Sequence, residues 1–135
     1  MPNIQMFIAG GFADPLKAEL ISRLTDATCQ SLDAPPDSVR IWLSEVAPSN
    51  FGCAGVTAAH ADGRLDLAFI QAILIAGRSD AQKARLIVSM TDAAVQVLGI
   101  PADVVRVAIQ DIPNTDFGIG GQTAASLGRG IGRQR

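Results

Sequence analysis

The chain has 135 residues, 48% of them hydrophobic and 18% charged, with a formal net charge of −2. That length fits one ordinary domain with a buried core, and the apolar content excludes a disordered chain, which lacks the apolar surface to offset ordering entropy. The weakly negative charge argues against a nucleic-acid partner, and a single histidine with two cysteines excludes a multi-histidine metal site and a disulfide scaffold.

The N-terminus has no basic leader and reaches Asp14 early, so it does not read as a secretory signal. Residues 3–9 alternate, with Ile4, Met6 and Ile8 on one face and Gln5, Phe7 and Ala9 on the other, which is strand periodicity. Gly10 and Gly11 break it. Asp14 followed by Pro15 reads as an N-cap and a first-turn proline. Leu16, Leu20, Ile21, Leu24, Ala27 and Leu32 then recur at helical spacing and predict one apolar stripe. Asp33, Ala34, Pro35 and Pro36 stop the helix, and residues 38–46 alternate again, with Val39, Ile41 and Leu43 opposed to Arg40, Trp42 and Ser44.

The plan then repeats: a strand near 68–75, a helix near 80–98 and a strand near 104–112. An offset of 66 residues aligns 2–60 with 68–126 without a gap, and 23 of those 59 pairs are identical. They include Ile4 with Ile70, Gly11 with Gly77, Asp14 with Asp80, Lys17 with Lys83, Pro35 with Pro101, Arg40 with Arg106 and Phe51 with Phe117. The chain is a tandem duplication. The expected organisation is a first unit at 1–60, a hinge at 61–67, a second unit at 68–128 and a flexible tail at 129–135.

A strand, a helix and a strand in this order make a parallel crossover. Two such units predict an α/β two-layer sandwich, with one four-stranded sheet and both helices on one face. Its other face would carry Phe7, Trp42, Ile73 and Ala108, and an uncovered apolar surface of that kind marks an assembly interface. Cys29 and Cys53 read as buried thiols in a reducing compartment. No apolar run has the ~18 residues of a membrane span. Together these predict a cytoplasmic protein with no membrane partner.

The ordered set of motifs resembles the 4-oxalocrotonate tautomerase family, and most of all its fused subgroup, in which two family units share one chain. The second unit carries Gly77-Arg78-Ser79-Asp80, Val105-Arg106-Val107 and Phe117-Gly118-Ile119-Gly120-Gly121. The first carries Pro2, Leu32-Asp33-Ala34-Pro35, Ser38-Val39-Arg40 and Phe51-Gly52. The resemblance implies a β-α-β building block, a homotrimer of fused chains, and a cofactor-independent keto-enol tautomerase acting on 2-hydroxydienoate or enolpyruvate-type acids, with no metal.

It also implies roles. Pro2, exposed by removal of Met1, corresponds to the family's general base. Burial and nearby guanidinium groups would each lower the pKa of its secondary amine toward neutrality. Arg40, Arg78 and Arg106 match the positions that grip the carboxylate, a task suited to the planar guanidinium. Phe51 and Phe117 match a phenylalanine that lines the apolar wall. The two halves are unequal, because Ala68 stands where the first unit has Pro2, and Phe12 where the second has Arg78. One working site per chain is therefore expected. Glu45 and Asp111, at matching strand ends, are the candidates for water activation if the same site instead performs hydration, dehalogenation or decarboxylation. A non-catalytic member with the same fold is the remaining alternative. His60 is expected in solvent at the hinge, and the Gly- and Arg-rich end as a flexible terminus.

Overall fold

The computed structural model describes residues 1–60 and 66–130. In it the first alternating stretch forms β1 (Asn3–Ala9), whose Ile4, Met6 and Ile8 are fully buried. Helix α1 (Asp14–Leu32) and β2 (Arg40–Val46) follow, and a hairpin of β3 (Gly52–Cys53) and β4 (Val56–Thr57) closes the unit. The second unit repeats this as β5 (Ala68–Ile75), α2 (Asp80–Leu98), β6 (Val105–Ile112), β7 (Gly118–Ile119) and β8 (Gln122–Thr123). Alternation does not predict the small hairpins, since two-residue strands have no period to read.

β1 pairs in parallel with β2, and β5 with β6, while β1 and β5 run antiparallel at the centre of a sheet ordered β2-β1-β5-β6. The core joins the buried faces of β1 and β5 to Leu20, Leu24 and Leu32 of α1 and Leu86, Met90 and Ala94 of α2. This is the expected two-layer sandwich. The β1–β5 register sets Asn3 opposite Ile73 and Ile8 opposite Ala68. The start of β1 therefore lies beside the end of β5, and each end of the sheet combines residues from both units.

Three local expectations are corrected. The N-cap of α1 is Ala13, not Asp14: the Ala13 carbonyl accepts from the Leu16 and Lys17 N–H groups, both at 3.1 Å, which puts Asp14 and Pro15 inside the first turn. Ile21 stays 38% exposed, while Thr28 and Ser31 are buried. The apolar stripe is rotated because α1 is covered by α2 as well as by the sheet, with Ser31 Oγ reaching Ser89 Oγ at 3.4 Å across the helix pair. Cys29 is only half-buried and Cys53 is exposed in its hairpin, because that hairpin lies outside the layered core.

The two helix starts differ in a way that can be measured. Ser79 caps α2, with Oγ accepting from the Gln82 N–H at 3.1 Å and the Gln82 side chain accepting from the Ser79 N–H at 3.0 Å. Ala13 offers no side-chain bond. Ser79→Ala is expected to destabilise by about 1 kcal/mol, and Ala13→Ser to stabilise by about the same amount. Urea midpoints at one fixed protein concentration should move in opposite directions; a shift of the same sign for both would refute the cap assignment.

On the uncovered face, Phe7 and Phe69 stack with centroids 6.3 Å apart, and Trp42 is 51% exposed. Of the expected hinge only Asp66 and Leu67 are described, and of the expected tail only Arg129 and Gly130; the rest lies outside the described residues.

Candidate active site

A cleft of about 800 Å³ opens where β1 begins and β5 ends. Pro2 lies in its wall and is under 2% exposed. The Pro2 carbonyl accepts from the Arg40 N–H at 3.1 Å, which extends the β1–β2 pairing by one bond and anchors Arg40 beside the proline. The Arg40 side chain is steadied by Nη1, which donates to the Asp37 carbonyl at 3.1 Å.

The second unit supplies the facing residues. Arg78 follows β5, and its Nη1 donates to the carbonyl of Leu32, the last residue of α1. The final turn of α1 has no basic residue of its own, so Arg78 brings a cation to the negative end of that helix from the other unit. Phe117 stands just before β7, and its carbonyl accepts from the Ala124 N–H at 2.8 Å. Pro2, Arg40, Arg78 and Phe117 thus line one cleft, and Arg129 joins them.

The glycine-rich sequence around Arg129 reads as a flexible end, yet Arg129 lies in the lining of the cleft. The available signal was Gly128, a glycine placed to close the turn that precedes Arg129. Charge in the cleft is concentrated. Burial pushes the Met1 amino group below the ordinary range of an amino terminus, and the Arg40 and Arg129 guanidinium groups push it further in the same direction. The Met1 nitrogen donates to the Ser38 carbonyl at 3.1 Å.

Arg106 and Phe51 lie at the opposite end of the sheet. Arg106 pairs in register with Phe69, and its Nη1 donates to the Asp103 carbonyl at 2.6 Å, repeating the Arg40–Asp37 arrangement. Phe51 lines a second cleft of about 460 Å³ with Phe12, Leu67 and Ile100. That cleft is the duplicate of the first, and Ala68, 1% exposed, stands at the Pro2 position.

Glu45 and Asp111 line neither the Pro2 cleft nor the second one. Glu45 bonds Lys17 at 2.8 Å and accepts from the Gly11 N–H at 3.2 Å, and both hold its carboxyl below the usual range. Asp111 pairs with Lys83 at 2.5 Å. His60 Nδ1 and Thr57 Oγ1 lie 2.9 Å apart on the surface. Among the described residues, no group of three or more His, Cys, Asp or Glu side chains could hold a metal ion, and no helix is long and apolar enough to cross a membrane.

The family described as Tautomerase enzyme matches the chain twice, over residues 3–61 and 69–125. A 2-hydroxymuconate tautomerase of Comamonas testosteroni is 43% identical over 61 residues, which is 45% of this chain and 97% of that protein. The crystal structure of a native fused 4-OT superposes with a TM-score of 0.89 at 49% identity, covering 95% of this chain and 100% of the other. A wild-type fused 4-OT solved as an asymmetric trimer gives a TM-score of 0.85 at 48% identity, with the same coverage.

Proposed function

The chain belongs to the tautomerase enzyme family, and from that premise we propose that it converts 2-hydroxydienoate or enolpyruvate-type acids to their keto forms, with Pro2 as general base. The observation that carries the reading is a buried Pro2 sharing one cleft with Arg40, Arg78 and Phe117. Relatives named 2-hydroxymuconate tautomerase, similar over nearly their whole length, support the choice of reaction.

Removal of Met1 turns the Pro2 nitrogen from an amide into a secondary amine on a rigid ring. The substrate carboxylate lies against Arg40 and Arg78, whose fork-like donors match two oxygens. Pro2 nitrogen takes the proton of the enol hydroxyl as the C–O bond becomes a carbonyl and the double-bond electrons shift along the chain. The same nitrogen returns that proton to carbon, so no proton is gained or lost overall. Phe117 keeps the reacting end apolar, which strengthens each charge interaction. Arg106 and Phe51 enter this scheme only across an interface between copies. We read the chain as a homotrimer, as the fused 4-OT solved as an asymmetric trimer supports, located in the cytoplasm and with its uncovered apolar sheet face lying between subunits.

The test is an enol-to-keto absorbance assay on 2-hydroxymuconate and phenylenolpyruvate, run on protein whose intact mass shows that Met1 is absent. No turnover of either substrate by such protein rules the reading out. Hydration or dehalogenation on this site would need an acid near Pro2; the strand-end candidates Glu45 and Asp111 are instead bonded to Lys17 and Lys83, and the acid in the described lining of the cleft is Asp37.

The rate should depend on pH in a defined direction. Pro2 acts in its neutral form, so kcat/KM rises with pH through the pKa of its amine. Burial and then Arg40 lower the pKa of the Met1 amine in this cleft, and beside the amine that Met1 removal would create on Pro2 the charge of Arg40 would act in the same direction, against the cation. Arg40→Ala is therefore expected to move the ascending limb to higher pH, besides weakening binding. A limb that stays in place or moves to lower pH would show that Arg40 does not act on the base.

A further inference from the structure

We infer that Ser79 and Gln82 are positioning residues for the reaction: their reciprocal cap on α2 sets the direction in which Arg78 enters the cleft. This rests on the proposed tautomerase site and concerns how one of its carboxylate-binding arginines is aimed.

Arg78 stands on a short link between β5 and α2, and both sides of that link are pinned. Ahead of it, the Ala76 N–H donates to the Ile112 carbonyl at 2.8 Å, which carries the β5–β6 pairing one bond past the strand. Behind it, Ser79 Oγ accepts from the Gln82 N–H at 3.1 Å, and Gln82 Oε1 accepts from the Ser79 N–H at 3.0 Å. The Ser79 carbonyl accepts from the Lys83 N–H at 3.0 Å, and Lys83 Nζ pairs with Asp111 of β6 at 2.5 Å, so the first turn of α2 is tied to the sheet. The Ser79 N–H lies in the same rigid peptide plane as the Arg78 carbonyl. Holding that N–H therefore fixes the backbone torsion that follows the Arg78 Cα. From this fixed stem the side chain crosses to the end of α1, where Nη1 donates to the Leu32 carbonyl, and lines the cleft.

The first unit shows that the helix itself does not require this cap. Helices α1 and α2 both run 19 residues, yet Ala13, the cap residue of α1, makes no side-chain bond. The 66-residue offset sets Ala13 opposite Ser79, Leu16 opposite Gln82 and Phe12 opposite Arg78. Phe12 and Leu16 are partly buried and pack against the core, so burial holds the residue ahead of α1. A guanidinium cannot be anchored in that way, because burying a charge without partners is costly. The polar cap fixes the backbone instead and leaves the charged end at the cleft. Cap and arginine occur together in one unit, and the apolar pair replaces both in the other.

Met1-free protein provides the test, with KM and kcat for 2-hydroxymuconate read separately. Ser79→Ala and Gln82→Ala are each expected to raise KM about 3- to 10-fold, with kcat within about twofold of wild type. A loss of folded protein alone would lower the apparent kcat and leave KM in place. Ser79→Thr, which keeps a capping oxygen, should return KM to within about twofold of wild type. In an Arg78→Ala background, Ser79→Ala should change KM by less than about twofold, because the side chain it aims is gone. An unchanged KM in either Ser79→Ala or Gln82→Ala overturns the inference, as does a rise that persists in full without Arg78. If wild-type protein turns over neither enol acid, the tautomerase reading fails. Affinity for sorbate, an unreactive monocarboxylate titrated by NMR, then replaces KM in the same proteins and decides the role of the cap; wild-type protein that binds no sorbate overturns it.

Discussion

Met1-free protein carrying Pro2→Ala is expected to lose about 10²- to 10⁴-fold in kcat/KM for 2-hydroxymuconate, the range that one positioned general base supplies. Alanine at that position still ends in an amine, so the change does not simply delete a nitrogen. It replaces a ring nitrogen held in a buried wall by a primary amine free to rotate and to be solvated. The fall should appear mainly in kcat, because the arginines that hold the carboxylate remain. Protein that retains Met1 should be inactive for a separate reason: its Pro2 nitrogen is an amide with no useful basicity. Activity within twofold of wild type, in protein shown by mass to lack Met1, would mean that the base lies elsewhere in the cleft.

Arg78→Ala should lower kcat/KM by about 10- to 150-fold, corresponding to roughly 1.5–3 kcal/mol for a hydrogen bond to a charged group. Arg78 has two tasks. It presents donors to the cleft, and its Nη1 holds the carbonyl at the end of α1. Some stability is therefore lost as well, and the two effects are separated by measuring kcat and KM well below the unfolding temperature. Arg78→Lys keeps a cation near the helix end but cannot present a planar fork, so it should rescue stability more fully than kcat/KM. If Arg78→Ala lowers stability with kcat/KM unchanged, Arg78 is only a brace between the units.

The two ends of the sheet show how a duplicated chain becomes chemically unequal without losing its fold. The core positions agree across the repeat, as in Ile4 with Ile70, Leu20 with Leu86 and Leu32 with Leu98, all buried. Each is constrained by the same packing between helix and sheet. The positions at the clefts diverge: Pro2 against Ala68, and Arg78 against Phe12. Among the described residues the second cleft is lined mainly by apolar side chains and by no arginine. Ala68 follows Leu67 in mid-chain, so its nitrogen is an amide that could not act as a base in any case.

Much of this was legible in the chain itself, because strand and helix periods are local. Alternation from Ile4 to Ile8, the helical spacing from Leu16 to Leu32 and the repeat at 66 residues determine two β-α-β units without reference to any distant contact. The family motifs also pointed to Pro2, Arg40, Arg78 and Phe117. What the periods could not decide is which ends meet. That depends on the antiparallel β1–β5 pairing, a contact between residues some 66 positions apart, set by burial of two apolar faces at once. Only that pairing brings Arg78, Phe117 and Arg129 from the second unit to Pro2 of the first, while Arg106 and Phe51 go to the far end. Arg129 was the least legible of all, since a glycine-rich stretch near a terminus looks unstructured until Ala124, Asn114 and Phe117 are seen to hold it. Sequence determined the units and their chemistry by type. Tertiary pairing decided which side chains share a cleft, because proximity across the sheet is a property of the packed whole and not of any one segment.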